Sequence, residues 1–372
     1  NFDAGGNFVG MNSGVNSYGG NGTNAAQEAL EGYFARANYN YDNKYYFQAS
    51  VRGDGSSKFK DVSKRWGAFW SVGAAWRISG ENWMHNATWV NDLKLRASYG
   101  TTGNQNGVNR YSGYQLWNLG ASGYTYSGTS ATPQGFTLSK QAYVNDALTW
   151  EKVNSLDVGL DFRLWDRFYG TIDFYNRITT NAIWKAPIAY SLGQDDNDQN
   201  SARIRNTGIE IELGVDIIRT PDILWSFNVN GTHYRNKLLE VPNGVGSEAL
   251  NGCWTAGPDA WAAAGGGSTN EIVYLRGVGK DLYNMYMYKY AGIDQNSGLA
   301  MYWHTVDHES DENGQFAHLD KGTIVNVTDG NLADRYEMGS ATPDFIGGFG
   351  TSFRYKNFDF AIQFAFQLGG KF

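Results

Sequence analysis

Residues 156–164 alternate strictly between apolar and polar or small side chains. Side chains on a β-strand point alternately to opposite faces, so this pattern predicts a strand with one apolar and one polar face. The apolar face would carry Leu156, Val158, Leu160, Phe162 and Leu164. In a soluble sandwich that face would pack into a core, whereas in a wide membrane barrel it would meet lipid. The choice between these two environments determines which functions are possible for the chain.

Similar alternation recurs along the chain and predicts about ten to twelve strands separated by polar, glycine-rich segments. The segments that alternate are 32–41, 44–52, 66–78, 93–99, 156–164, 168–174, 209–216, 225–229, 347–355 and 358–368. In the last of them, every second residue from Phe358 to Leu368 is large and apolar. The stretches 101–149, 187–202 and 240–343 are predicted to be long loops. The fold class predicted is therefore all-β and antiparallel.

Composition supports a β-protein and excludes several other classes. Aromatic residues make up 15% of the chain, and it contains 47 glycines and six prolines, which favours strands and turns over helices. Cys253 is the only cysteine, so no internal disulfide can form. A net charge of −7 with scattered basic residues argues against a nucleic-acid surface. No run of apolar residues is long enough for a transmembrane helix.

The connections between the predicted strands alternate in length. Short turns are predicted at 42–44, 79–92, 165–167, 219–223 and 356–357, and long loops at 53–65, 101–149, 186–203 and 240–344. In an antiparallel sheet this order places all short turns at one end and all long loops at the other. Outer-membrane barrels have this polarity, and aromatic residues also cluster at the predicted strand ends as interfacial girdles do. The pattern favours a transmembrane β-barrel over a soluble sandwich or jelly roll.

Several strings of the sequence resemble the SusC/RagA family. They lie in the same order as in that family, from about residue 32 to the end of the chain. The strings are 33–41 (YFARANYNY), 51–59 (VRGDGSSKF), 75–78 (AWRI), 93–100 (LKLRASYG), 102–105 (TGNQ), 150–152 (WEK), 205–210 (RNTGIE), 290–294 (YAGID) and 342–345 (TPDF).

The resemblance implies a TonB-dependent importer of the outer membrane of Bacteroidetes. Such proteins are 22-stranded barrels with an N-terminal plug in the lumen, a SusD-like lipoprotein lid, and TonB–ExbB–ExbD as the energy source. By this resemblance the sequence is expected to lack the plug and the TonB-contacting segment and to supply about half of the strands. Residues 1–372 are therefore expected to be an internal part of one barrel domain, with residues 240–344 as a large extracellular loop region. The partners implied are the lid, TonB through the missing N-terminal region, membrane lipid, and an oligosaccharide or peptide substrate.

Aromatic residues in the long loops are the predicted substrate-binding residues. Tyrosine and tryptophan offer flat faces with a polar tip, which suits stacking on sugars or holding peptides. The candidates are Trp117, Tyr124, Trp254, Trp261, Tyr283 and Trp303. The alternative is that these side chains pack the loops together or against the lid.

Evidence for chemistry in the sequence is weak. Asp195, Asp196 and Asp198 could ligate a structural Ca²⁺, although a solvated acidic loop fits their spacing better. No catalytic constellation, zinc site or phosphate loop is recognisable, so neither an enzyme nor a cofactor is predicted. The preferred function is energised import. The alternatives left open are a passive porin or outer-membrane adhesin, and a soluble carbohydrate-binding β-protein.

Overall fold

The structure, a computed structural model, describes residues 28–110, 117–121, 135–138, 145–189, 196–242, 254–256, 274–306, 319–320, 322–328 and 332–371. The chain divides into two compact units. Unit 1 comprises Asn1–Asp166, Asp173–Ile204 and Val241–Gly244, and unit 2 comprises Arg167–Ile172, Arg205–Glu240 and Val245–Phe372. Within the described residues, no helix is long and apolar enough to cross a membrane.

Strands dominate the part of the chain that the structure describes. They are β1 (Leu30–Tyr41), β2 (Tyr45–Ser56), β3 (Trp66–Arg77), β4 (Val90–Asn104), β5 (Trp117–Ala121), β6 (Gly135–Leu138), β7 (Glu151–Leu164), β8 (Phe168–Pro187), β9 (Asp196–Arg219), β10 (Ile223–Glu240), β11 (Trp254–Ala256), β12 (Tyr274–Arg276), β13 (Asn284–Tyr288), β14 (Tyr290–Ile293), β15 (Ala300–Thr305), β16 (Ile324–Val327), β17 (Arg335–Ser340), β18 (Phe345–Tyr355) and β19 (Phe358–Leu368). One helical turn, α1 (Val62–Arg65), and two 3₁₀ turns, Ile78–Gly80 and Asn82–Met84, complete the described elements.

The largest sheet has ten strands in the order β1-β2-β3-β4-β7-β8-β9-β10-β18-β19. Within unit 1, β1 to β4 and β7 pair antiparallel, and within unit 2, β10, β18 and β19 do the same. Three smaller sheets are β11-β12-β13-β17, β14-β15-β16 and β5-β6. The ten strands of the main sheet are consistent with the predicted number, and the prediction of an antiparallel all-β fold is confirmed.

In unit 1, one face of the sheet is continuously apolar. Across the strands Val51 is paired with Trp70, Val72 with Tyr99, and Tyr99 with Leu156. All five side chains are exposed in the bare protein. An exposed apolar surface that crosses several strands marks a contact with a membrane or with another protein surface.

Unit 2 repeats this arrangement on β18 and β19. Phe353 is paired with Phe360, and Phe349 with Phe364, whose rings stack at 4.9 Å. Phe358 is 78% exposed and Phe360 58% exposed. The apolar row of the last strand is therefore not buried in a core, and the polar and small residues between its members are exposed as well.

Glycines let aromatic rings lie flat against neighbouring strands. In unit 1 the Phe69 ring covers Gly67 and Gly103, where an added Cβ would come within 2.4 and 2.1 Å of it. In unit 2 the Phe345 ring covers Gly231 in the same way, at 2.3 Å. Because any side chain at these glycines would displace the ring, the close approach requires glycine.

Tight hairpins form at two of the predicted short turns. Asp42 and Asn43 join β1 to β2, and Trp165 and Asp166 join β7 to β8, all four with positive φ. Positive φ at both central residues matches the right-handed twist of the flanking strands. The short turns at these positions were predicted correctly.

The predicted loop boundaries at 101 and 202 were wrong, whereas the predicted start of a loop at 187 agrees with the end of β8 at Pro187. β4 continues to Asn104, and β9 begins at Asp196 and has 24 residues. A strand of that length spans about 80 Å, whereas the hydrocarbon core is about 30 Å thick. Beyond the bilayer both faces of a strand can be polar, so the alternation of apolar residues stops before the strand does.

Candidate functional site

The face of the unit 1 sheet opposite the apolar row is a polar wall. One row across it pairs Ser50 with Ser71, Ser71 with Gly100, and Gly100 with Ser155. The Oγ atoms of Ser50 and Ser71 lie 2.6 Å apart in a hydrogen bond. An added Cβ on Gly100 would come within 2.6 Å of the Ser71 Cβ, so glycine keeps this row closely packed.

A second row lies beside it. Gln48 is paired with Gly73, Gly73 with Ser98, and Ser98 with Asp157. A Cβ on Gly73 would meet its nearest neighbour, the Ser98 Cβ, at an ordinary 3.5 Å. Serine or glycine at most positions of the two rows leaves a depression in the wall.

A charged network borders the depression on the side of the short turns. The Arg96 guanidinium donates from Nε to Asp161 at 3.1 Å and from Nη2 to Asp173 at 2.7 Å. Lys94 Nζ lies 4.0 Å from the Asp161 carboxylate. Gly159 leaves the space for this network, because a Cβ there would come within 2.2 Å of Asp173 Oδ1.

A small hydrophobic cluster lies at the end of the polar wall that is nearest to the long loops. Phe59, Phe69, Val108, Leu148 and Trp150 are all buried in it. The Trp150 ring lies 5.4 Å from Phe59 and 5.7 Å from Phe69 between centroids. We call these five residues the cap cluster. Buried aromatic pairs of this kind fix the segments that carry them.

Hydrogen bonds attach the loop segments to the cap cluster. Trp150 Nε1 donates to the Arg65 carbonyl and Arg65 Nε donates to the Phe59 carbonyl, each at 2.8 Å. Asn200 Nδ2 donates to the Thr149 carbonyl, and Asn200 Oδ1 accepts from the Thr149 N–H, both at 2.8 Å. These hydrogen bonds fix the loop residues to the strand ends at the long-loop end of the polar wall.

Between these two borders lies a cavity of about 1150 Å³ within unit 1. Its lining extends from Asn38 and Lys94 toward the short turns to Gln105, Asn106 and Trp150 beside the cap cluster. Serine, glycine, asparagine and glutamine residues lie in its lining beside aromatic residues such as Phe69 and Tyr99, so the lining offers both hydrogen-bonding groups and apolar surface.

The turn after β4 borders the cavity on the side of the long loops. Asn104 Nδ2 donates to Glu151 Oε2 at 2.5 Å, and Glu151 Oε1 accepts from the Ile183 N–H at 2.7 Å. Asn104 Oδ1 accepts from the Asn106 N–H at 3.0 Å. Gln105 Oε1 is shielded from solvent and accepts no hydrogen bond from any described residue. A shielded acceptor of this kind is costly unless a donor reaches it.

In unit 2 a polar cluster joins β13 and β17. Lys280 Nζ donates to both carboxylate oxygens of Glu337, at 2.6 and 2.7 Å, and Asn284 Nδ2 donates to Oε2 at 3.1 Å. The hydrogen bond from Lys280, followed by that from Asn284, holds the pKa of Glu337 below its ordinary value of 4.5 against the opposing effect of burial. The ionised carboxylate is therefore the form that this cluster stabilises.

We expect Glu337→Gln to reduce the pH dependence of stability. A carboxyl group with a lowered pKa in the folded state contributes stability above its unfolded pKa, which is lost as pH falls through the folded value. The wild-type melting temperature should therefore fall more steeply than that of the variant as pH drops below 4.5. The measurement is thermal unfolding of both proteins between neutral and acidic pH. Parallel melting curves would contradict the assignment, and Asp281→Asn serves as a control in the same segment.

The two loop aromatics whose side chains are described lie in unit 2. Tyr283 is exposed and meets the Tyr274 ring edge-on at 5.8 Å. Lys289 Nζ lies 3.2 Å from the centroid of the Trp303 ring, and Tyr336 contacts that ring edge-on at 6.1 Å. The contacts of Trp303 are those of a packing residue, whereas Tyr283 is accessible. A role of either residue in substrate binding stays a prediction.

The remaining predicted aromatics lie beyond what the structure describes. Trp117 and Trp254 are the first residues of β5 and β11, but their side chains are not among those described. Tyr124 and Trp261 lie outside the described residues. A common site formed by the six candidates therefore stays a prediction.

The predicted calcium ligands are likewise only partly covered by the structure. Asp195 lies outside the described residues, and Asp196 begins β9 with its side chain outside the description. The main-chain oxygen of Asp198 accepts from Asn145 Nδ2 at 2.9 Å. Among the described residues, no group of three or more histidine, cysteine, aspartate or glutamate side chains could hold a metal ion. Calcium binding at 195–198 stays a prediction.

The sequence analysis did not identify the cavity. Its serines and glycines occupy the polar positions of strands that were correctly predicted, such as 93–100 (LKLRASYG). The signal that could have found it is the small size of these residues at matching positions of β2, β3 and β4. The segment 102–105 entered the sequence analysis only as part of a family string, although Gln105 borders the cavity.

Comparison with known proteins supplies the family. Residues 1–252 match the family model described as TonB dependent receptor-like, beta-barrel. TonB-dependent receptor P3 of Formosa agariphila is 32% identical over 343 residues, which cover 91% of this chain and 32% of that protein. TonB-dependent receptor SusC of Bacteroides thetaiotaomicron is 28% identical over 92% of this chain and 32% of its own length.

Solved structures give the same result. The chain is similar to the RagAB peptide importer in its closed-closed state, with a TM-score of 0.69 and 26% identity over 93% of this chain and 34% of that one. The open-open state gives a TM-score of 0.70 and 25% identity over 95% and 35%. The chain thus spans about a third of the length of the proteins it matches.

Proposed function

The chain belongs to the TonB-dependent receptor family of outer-membrane β-barrels, and from this we propose that it forms part of the wall of an energised importer of nutrient oligomers. The chain is a partial transmembrane antiparallel β-barrel located in the outer membrane. Import is a binding and transport process and needs no covalent chemistry from these residues.

The two-faced sheet is the observation that carries this proposal. Its apolar face is exposed on strand after strand, and its other face carries hydroxyl, amide and paired charged groups around a cavity of about 1150 Å³. A soluble binding protein would bury the apolar face in its core. A membrane barrel turns it to lipid and keeps a polar lumen.

The partners in this proposal follow from the relatives. SusC and the RagAB importer support a SusD-like lipoprotein lid over the long-loop end. The family name supports energy transfer from TonB–ExbB–ExbD. Residues 240–344 would then form a large extracellular region in which exposed aromatics such as Tyr283 meet the lid or the substrate.

The test is uptake by cells that express the full-length receptor and its lid. The cells receive a pool of neutral oligosaccharides together with a tryptic digest of casein, and mass spectrometry follows which compounds disappear from the medium. An importer predicts depletion of defined oligomers that stops when tonB is deleted. Equal depletion with and without TonB would identify a passive porin, and no depletion of either pool would contradict import.

A further inference from the structure

In unit 2, the apolar face of β10 ends in two basic residues on the side of the long loops. Arg235 and Lys237 are exposed, whereas Asn236 and Leu238, which alternate with them, are 8% and 0% exposed. Side chains alternate between the two faces of a strand. Arg235 and Lys237 therefore lie on the same face as the exposed Trp225 near the start of β10.

A third basic residue lies beside them on the neighbouring strand β9. Two side-chain hydrogen bonds fix the register of the two strands, from Ser226 Oγ to Asp216 Oδ1 at 2.9 Å and from Asn236 Nδ2 to Asn206 Oδ1 at 2.6 Å. The two bonds are equally far apart on both strands, so the register between them is not shifted. The next position places the exposed Arg205 opposite Lys237. Side chains of residues that are opposite each other on adjacent strands are within contact distance.

These three basic side chains, which we call the basic triad, have no partner in the part of the chain that the structure describes. None of them has a carboxylate within 4.0 Å or a hydrogen bond to a described residue. By contrast, Lys280 and Arg219 of the same unit lie 2.6 and 3.8 Å from Glu337 and Asp216. The acidic residues on the unit 2 parts of β9 and β10 occupy the alternate positions, which face the other way: Glu210, Glu212, Asp216 and Glu240.

The position of the basic triad along the strand matches the boundary of a bilayer. Lys237 follows Trp225 by twelve residues, which is about 40 Å along a strand. With the tilt of about 45° that is usual in barrels, the two residues are about 30 Å apart across the membrane, the thickness of the hydrocarbon core. Tryptophan is common at the membrane interface. If Trp225 lies at the interface on the side of the short turns, the basic triad lies among the lipid headgroups of the opposite leaflet.

We propose that the basic triad binds the phosphate group of a phosphorylated glycolipid in the outer leaflet. The long loops of outer-membrane barrels are extracellular, so this end of β10 meets the outer leaflet. Arginine and lysine form charge-assisted hydrogen bonds with phosphate. The apolar face of the same strands continues directly below the basic triad and provides a surface for the acyl chains, which a free phosphate ion would not use.

Charge favours a phosphorylated sugar over an ordinary phospholipid. A phosphate monoester carries a charge of about −1.5 to −2 at neutral pH, whereas the phosphate diester of a phospholipid carries a single negative charge. Three unpaired cations on two adjacent strands complement the monoester better. The basic triad is therefore a lipid site on the outside of the barrel, separate from the cavity on the polar wall.

Two triple variants of the full-length receptor, purified with its lid, form a matched pair for the test. Arg205, Arg235 and Lys237 are replaced by glutamine in the first. In the second, the glutamines replace three exposed basic residues at the short-turn end of the same unit, Arg167, Arg354 and Lys356. Both variants lose three positive charges, and all six positions are exposed. The heat-dependent gel mobility of barrels checks that each variant is folded.

The experiment titrates each protein in dodecyl maltoside with diphosphoryl lipid A and measures the bound fraction by native mass spectrometry. We expect the wild type to bind this lipid and the first variant to bind it about a hundredfold more weakly, which corresponds to about 3 kcal/mol for three basic residues at a membrane surface. The second variant should bind like the wild type. If the first variant does not fold, Lys237→Gln alone is compared with Lys356→Gln, and the expected weakening is about fivefold.

Four results would overturn the proposal. Equal weakening in the two variants would show that attraction to the lipid is not localised at the basic triad. Equal binding of lipid A whose phosphates have been removed enzymatically would show that phosphate is not recognised. Equally tight binding of phosphatidylglycerol would refute the glycolipid assignment. Displacement of lipid A by millimolar inorganic phosphate would identify a site for a soluble anion.

Discussion

Replacing Ile362 by arginine is expected to destabilise the protein by about 2–4 kcal/mol, the cost of a cation near the bilayer midplane on the lipid face of a barrel. Ile362 lies near the middle of β19, which has 11 residues, a length that crosses a bilayer when the strand is tilted. It is exposed in the bare protein and lies beside Thr351 of β18. The substitution therefore removes little packing, and the expected effect is the cost of placing charge in hydrocarbon.

The measurement is the free energy of unfolding of the full-length receptor in lipid bilayers, from a guanidinium titration. Gln363→Arg is the matched control, because Gln363 is the next residue and points to the polar face. We expect the control to change stability only slightly. Equal destabilisation by both arginines, or a larger effect at Gln363, would mean that the apolar row does not meet lipid.

Replacing Trp150 by alanine is expected to cost about 3–5 kcal/mol, as for other buried tryptophans. Trp150 is only 5% exposed, packs against Phe59 and Phe69, and donates a hydrogen bond to the Arg65 carbonyl at 2.8 Å. Its removal leaves a cavity and an unpaired carbonyl at the centre of the cap cluster. The loop segments that the cap cluster holds at the long-loop end of the polar wall should then become more mobile.

Thermal unfolding and limited proteolysis of the full-length receptor test this expectation. The melting temperature should fall, and new cleavage should occur in the segment around α1. Trp83→Ala is the control, since Trp83 is 62% exposed and belongs to the same unit. If both variants have the same melting temperature and the same resistance to protease, the cap cluster does not stabilise the loop segments at the long-loop end of the polar wall.

The sequence predicts the membrane-crossing parts of the strands well because a bilayer imposes alternation on them. β3 was predicted within a residue of Trp66–Arg77, and β19 matches the predicted 358–368. At every second position of such segments the side chain meets hydrocarbon, so the apolar pattern records the geometry directly. The short turns were predicted for the same reason, because the alternating segments end where these turns begin.

Outside the bilayer the same reasoning fails. The first residues of β9, 196–202, are almost all polar and were predicted to be a loop. Their strand is held by backbone pairing and by side chains such as Asn200, which bonds to Thr149. Such contacts join residues about fifty positions apart and leave no periodic trace in the sequence.

The site was less predictable than the fold. Sequence reasoning selected large aromatic side chains, of which Tyr283 and Trp303 are the two with described side chains. The cavity depends on the opposite property, because Gly73 and Gly100 contribute by being small. Whether small residues on different strands are adjacent depends on the register of the sheet, which one sequence does not specify.

The orientation of the β19 apolar row is tested most directly by nitroxide scanning of residues 358–368 in the full-length receptor in bilayers, with Cys253 replaced by alanine. Collision of each label with oxygen, which concentrates in lipid, is compared with collision with a water-soluble nickel complex. We predict high oxygen accessibility at Phe358, Phe360, Ile362 and Phe364, and low values at the residues between them. Labels at these four positions that are shielded from both reagents would contradict the account, because the row would then lie in a dry protein core.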